Sequence, residues 1–81
     1  MKQLKYFTAS WCGPCRFFKP YIIELIRDGE NIEMIDIDAN PEQSQKYQIM
    51  SVPTLIFEED GEIFAKRNGA MDPSEIKALL K

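Results

Sequence analysis

The sequence predicts an α/β domain built on a mixed four-stranded sheet with helices on both faces. Three observations carry that prediction. The chain has 81 residues, enough for one domain with a single modest core, so residues 1–81 read as one unit. Short β-rich runs alternate with helical periodicities in the order β-α-β-α-β-β-α. Asp60-Gly61 is a two-residue turn signal between the last two strand-like runs, which therefore close a hairpin. The opening βαβ unit demands two parallel strands with a right-handed crossover, and the hairpin adds two antiparallel ones.

The elements follow in order. Leu4–Thr8, with Lys2 and Gln3 before it, is the first strand. Arg16–Arg27 is a helix, with Phe18, Ile22, Leu25 and Ile26 on one face of a 3.6-residue period. Phe17, Tyr21 and Ile23 widen that face, which predicts a helix packed on more than one side. Pro20 lies inside it, where it removes a backbone hydrogen bond and kinks the axis. Gly29 is a natural residue just past the C-terminus. Ile32–Ile37 is an isoleucine-rich second strand. Asn40-Pro41-Glu42 carries the cap, proline and acid of a helix start, and the short polar helix ends near Tyr47, which turns inward. Thr54–Phe57 and Glu62–Lys66 are the hairpin strands, with Glu58-Glu59-Asp60 as a solvated tip. Asn68-Gly69-Ala70 breaks the fourth strand. Asp72-Pro73-Ser74-Glu75 starts a last helix, with Ile76, Leu79 and Leu80 on one face.

Composition narrows the function classes. A net charge of −3 argues against nucleic acid or an anionic membrane surface as the main partner. No apolar run approaches the ~20 residues that span a bilayer. The first residues enter a strand pattern without the apolar stretch of roughly 7–15 residues that a secretory signal needs, so a cytoplasmic address is expected. In a reducing compartment, a lone close pair of cysteines reads as catalytic or metal-binding rather than structural.

That pair lies in Trp11-Cys12-Gly13-Pro14-Cys15, which holds both cysteines and the single tryptophan. Two thiols with two residues between them can close a small disulfide ring. Gly13 and Pro14 suit a tight turn leading into a helix. A helix N-terminus presents unpaired N–H groups and the positive end of a dipole, and both favour a thiolate. Zinc usually takes four Cys or His ligands, and two cysteines with no histidine cannot supply them from one chain. A metal site within the chain is therefore not expected, although a cluster bridged between two chains remains open.

The pentapeptide matches the active-site motif of the thioredoxin family residue for residue. Val52-Pro53-Thr54 looks like that family's cis-proline loop, and Asn68-Gly69-Ala70 resembles its second substrate-facing loop. Pro20, Ile37-Asp38, Asn40-Pro41 and Lys46-Tyr47 also follow the pattern, which covers the chain from Leu4 onward. The resemblance is to the short, glutaredoxin-sized thioredoxins. It implies a minimal thioredoxin fold with strand order 2-1-3-4 and a protein disulfide reductase with no resident cofactor. It further implies a flavoprotein thioredoxin reductase as electron donor, disulfide-containing proteins as substrates, and a monomer.

Cys12, at the helix N-terminus near the exposed lip, is expected to be the nucleophile. Cys15, one turn in, is expected to be the resolving thiol. Gly13, Pro14 and Pro53, the last after a cis peptide by resemblance, support the motif. Trp11, Val52, Pro53, Gly69 and Ala70 would make a flat apolar contact surface, with Val52 pairing an extended substrate segment. Two departures concern the buried support. The family's buried aspartate, six residues before the first cysteine, is Tyr6, and its lysine on the neighbouring strand is Met34. Tyr6 reads as strand packing first and as a modulator of the site second. Two other functions stay open: a glutathione-coupled, glutaredoxin-like reductase, and a binding module whose thiols are incidental.

Overall fold

A computed structural model describes residues 1–81. In chain order the elements are β1 (Lys2–Thr8), α1 (Gly13–Arg27), β2 (Ile32–Asp36), α2 (Pro41–Lys46), β3 (Thr54–Glu59), β4 (Glu62–Asn68) and α3 (Pro73–Leu80). The strands form one sheet in the order β2-β1-β3-β4. β1 pairs in parallel with β2 and antiparallel with β3, and β3 pairs antiparallel with β4. This is the mixed sheet that the β-α-β-α-β-β-α pattern predicts.

Side-chain alternation sorts the core onto two faces. Leu4, Tyr6, Leu55 and Phe57 point to the face where α1 contributes Phe18, Ile22 and Leu25 and α3 contributes Ile76. Phe7, Ile35 and Ile56 point the other way, where Ile37, Tyr47 and Ile49 cover them. α2 buries no residue of its own; its C-terminal Tyr47 does the covering, with its ring centroid 5.5 Å from that of Phe7. β3, central and covered on both sides, is buried from Thr54 to Glu58. β4 is an edge strand and mostly exposed.

Several local expectations are corrected. α1 begins at Gly13 rather than Arg16, because Cys12 acts as its N-cap and Pro14 fits the first turn, where no N–H is needed. α1 is also packed on one side only: it buries Cys15, Phe18, Ile22 and Leu25, while Phe17 and Tyr21 are 81% and 52% exposed. The sheet lies under the Phe18 stripe, and nothing covers the flank that carries Phe17 and Tyr21. β4 runs on to Asn68, held there by pairing with Thr54. Its register slips between Phe57 and Glu58, so Phe64 is the extra residue of a bulge.

Glu58 is no part of a solvated tip. It is buried, accepts a 2.7 Å hydrogen bond from the Tyr47 hydroxyl, and lies 3.9 Å from Lys5 Nζ. Burial disfavours the Lys5 charge, but the hydrogen bond and charge of Glu33, with Tyr47 and Glu58, outweigh it and leave the ammonium above its ordinary pKa. Burial, then the Glu58 hydrogen bond, raise Tyr47 likewise. No helix is long and apolar enough to cross a membrane.

Candidate active site

The site begins where β1 hands over to α1. The Cys12 N–H donates to Ala9 O at 3.2 Å, closing the turn, and Cys12 then takes the extended backbone of an N-cap (φ −83°, ψ 114°). Its sulfur stands where a serine or aspartate oxygen usually stands. Cys12 Sγ accepts the Cys15 N–H at 3.2 Å. The helix end is therefore capped by the Cys12 sulfur. Cys12 and Cys15 are joined as a disulfide, with Cα atoms 5.3 Å apart. Cys12 is 5% exposed and Cys15 1%, so Cys12 is the more accessible of the two. Gly13 and Pro14 between them are exposed and form the lip.

Ala9, Ile37 and Val52 pack around the two sulfurs, which keeps the inner one dry. Cys12 Sγ lies 3.7 Å from the Val52 carbonyl oxygen, a residue 40 positions later. The Val52–Pro53 peptide bond is cis and Pro53 is buried. The loop is anchored twice: Thr54 Oγ1 donates to Ser51 O at 2.6 Å, and the Gly69 N–H donates to Pro53 O at 2.8 Å. Gly69 has φ of +91°, a conformation that glycine adopts without a Cβ penalty. That bond seats the Asn68-Gly69-Ala70 turn beside the proline loop, with Ala70 exposed.

Trp11 stands on the surface, 62% exposed, yet its indole is fixed: Nε1 donates to Asp38 Oδ2 at 2.8 Å. Asp38 was absent from the candidate residues read from the sequence. It follows β2, the strand beside β1, and an acid at that end of the neighbouring strand is the signal that points to it. Asp36 shapes the turn that presents it, accepting the backbone N–H groups of Asp38 and Ala39. Arg16 donates to Ser10 O at 3.2 Å and so closes the other side of the lip.

Beneath the motif, Tyr6 is fully buried and packs edge-on against Phe18, with centroids 5.6 Å apart. Its hydroxyl hydrogen-bonds Thr8 Oγ1 at 3.4 Å, not a sulfur. Burial pushes the Tyr6 hydroxyl above its ordinary pKa, with the Thr8 bond opposing. Met34 stands opposite Tyr6 in the β1–β2 register and packs on the same core. Where the family resemblance implies a buried acid and a lysine, the two strands thus carry Tyr6 and Met34, and neither side chain is charged at neutral pH.

The thioredoxin family model matches residues 2–81. The chain is 46% identical over 81 residues to a Staphylococcus aureus thioredoxin, an alignment covering 96% of this chain and 78% of that protein. A Mycoplasmoides gallisepticum thioredoxin is 40% identical over 77 residues, covering 93% and 77%. Among solved structures, a mutant thioredoxin from Halobacterium salinarum superposes with a TM-score of 0.86 at 32% identity, covering 98% of this chain and 71% of that one. A Fasciola hepatica thioredoxin gives 0.85 at 28% identity, covering 98% and 77%. A redox pair capping a helix between these two loops, with this likeness along the chain, has one meaning: the chain belongs to the thioredoxin family and is a thiol–disulfide oxidoreductase, a protein disulfide reductase whose dithiol is Cys12 and Cys15.

Proposed function

We propose that Cys12 is the attacking thiol and Cys15 the resolving one, in a single-domain, monomeric, cytoplasmic reductase recharged by a flavoprotein thioredoxin reductase. The Cys12 thiolate attacks one sulfur of a substrate disulfide. That S–S bond breaks, a mixed disulfide forms, and the substrate's other sulfur leaves as a thiolate that takes a proton. The Cys15 thiolate then attacks Cys12 Sγ, the second substrate sulfur departs, and the Cys12–Cys15 disulfide forms as two electrons pass to the substrate. The reductase returns the pair to the dithiol.

The observation that carries this assignment is the N-cap geometry. The sulfur of Cys12 is both the more exposed and the one that receives a helix N–H, which favours its thiolate. Trp11, held by Asp38, would meet the substrate together with Val52, Pro53, Gly69 and Ala70, with Gly13 and Pro14 as the lip. The Val52 backbone is suited to pair an extended substrate segment. Cys15 loses its proton to water or to the departing substrate sulfur, since Tyr6 bonds Thr8 and no carboxylate occupies its place.

Trapping tests the assignment. Cys15→Ser is expected to accumulate a covalent adduct with a disulfide-bearing protein such as insulin, while Cys12→Ser accumulates none. Adduct formation by Cys12→Ser alone would reverse the roles. Turnover with glutathione and not with a thioredoxin reductase would move the chain to the glutaredoxin-like scheme.

A further inference from the structure

The exposed aromatic flank of α1 forms one wall of a groove of about 220 Å³ that opens beside the dithiol. Phe17 and Tyr21, one turn apart, make that wall; Ala70, Met71 and Pro73 make the other; Phe18 is the floor. Pro14 closes the end nearest Cys12. The groove is therefore continuous with the redox site: Pro14 belongs to the motif and Ala70 to the loop seated against Pro53. We propose that this groove is a docking subsite for a disulfide-bearing protein substrate, taking one bulky apolar side chain two to four residues from the cysteine that Cys12 attacks. The proposal rests on Cys12 being the attacking thiol.

The occupant follows from the reaction. Bonding to Cys12 brings the substrate's backbone down onto the rim, and a segment that leaves its cysteine on the α1 side passes over Pro14 and Ala70 into the groove. At 1.5 Å per helical residue, Phe17 and Tyr21 stand about 8 and 13 Å along the axis from Cys12. An extended segment advances about 3.3 Å per residue, which sets the two-to-four spacing. The groove is smaller than the roughly 300–1,000 Å³ of drug-sized ligand sites, so it fits one side chain and not a cofactor. Aromatic walls in a partly formed pocket are where a few residues carry most of an interface's binding energy. The aromatic pair has no other partner in the fold: Phe17 is 81% exposed although Phe18, beside it, is buried.

The test uses two disulfide-linked peptides that differ only in carrying Phe or Ser three residues from the attacked cysteine, with bis(2-hydroxyethyl) disulfide as a substrate too small to reach the groove. Wild type is expected to reduce the Phe peptide with a kcat/KM about tenfold above the Ser peptide, the value of covering one aromatic side chain. Phe17→Ser and Tyr21→Ser, both exposed changes that should leave folding intact by circular dichroism, are expected to bring the ratio within about twofold of unity while small-disulfide reduction stays at the wild-type rate. No preference in wild type, or a preference that survives both substitutions, overturns the proposal. So does a concentration-dependent dimer that Phe17→Ser abolishes without changing the peptide ratio. Failure of wild type to reduce the small disulfide at all, or an adduct formed by Cys12→Ser and not by Cys15→Ser, would instead strike the Cys12 scheme itself, and the subsite with it.

Discussion

Tyr6→Phe isolates the one hydroxyl that stands where the family resemblance implies a buried acid. The ring stays in place, edge-on to Phe18, so no cavity opens. What disappears is a hydrogen bond to Thr8 at 3.4 Å, at the long end of the useful range. Its net worth is about 0.5–1 kcal/mol, which for a domain of this size lowers Tm by about 2–8 °C at pH 7. The alkaline side has the opposite sign. Because burial raises the Tyr6 hydroxyl, the unfolded chain releases that proton first. The resulting stability is fully present below about pH 10 and is lost as pH rises through the folded-state value, at up to about 1.4 kcal/mol per pH unit. Tyr6→Phe should therefore fall less steeply than wild type above pH 10, although the raised Lys5 and Tyr47 keep both curves falling. Urea unfolding followed by circular dichroism from pH 7 to 11 reads the slope, and insulin reduction from pH 6 to 9 reads the chemistry. The rate profiles should superimpose. A displaced profile in Tyr6→Phe would refute proton loss from Cys15 without help from Tyr6, and equal alkaline slopes would refute the burial argument.

Three further outcomes are expected. Asp38→Ala releases the Trp11 indole from its 2.8 Å bond, and kcat/KM for insulin should fall about fivefold through KM, the loss of roughly 1 kcal/mol of positioning, with the small-disulfide rate unchanged. Ile76→Ala removes the one fully buried side chain of α3 and should cost about 2–5 kcal/mol in urea unfolding, because the rigid sheet beneath cannot follow it. Lys5→Met leaves buried Glu58 without its cation and should cost about 1–3 kcal/mol at pH 7; adding Glu58→Leu should restore part of it, since a buried pair removed together costs less than one partner removed alone.

Element order was legible because strands and helices announce themselves locally. Ile32 to Asp36 reads as a strand from its own isoleucines, and Asp72-Pro73 as a helix start from its own cap, which accepts the Ser74 N–H at 2.9 Å. The flank of α1 was not legible. Phe17 and Phe18 are the same residue type side by side, and periodicity cannot say which of two adjacent apolar stripes finds a partner. Glu58 was misread for the same reason: a run of three acids looks solvated until Tyr47 and Lys5, both distant in sequence, fold over it.

The residues by themselves determined the chemistry. Two cysteines at this spacing, no histidine to make a Cys–His pair, and a glycine and proline between them favour dithiol exchange at a helix start over a metal site within the chain. Only the tertiary structure decided what surrounds the sulfurs. Val52 reaches Cys12 across 40 residues, and Asp38 reaches Trp11 across 27. Those contacts depend on which strands pair and which loops meet at their ends. Reactivity is written in residue type and local spacing, which a linear chain displays; recognition is written in distances between segments, which exist once the sheet has closed.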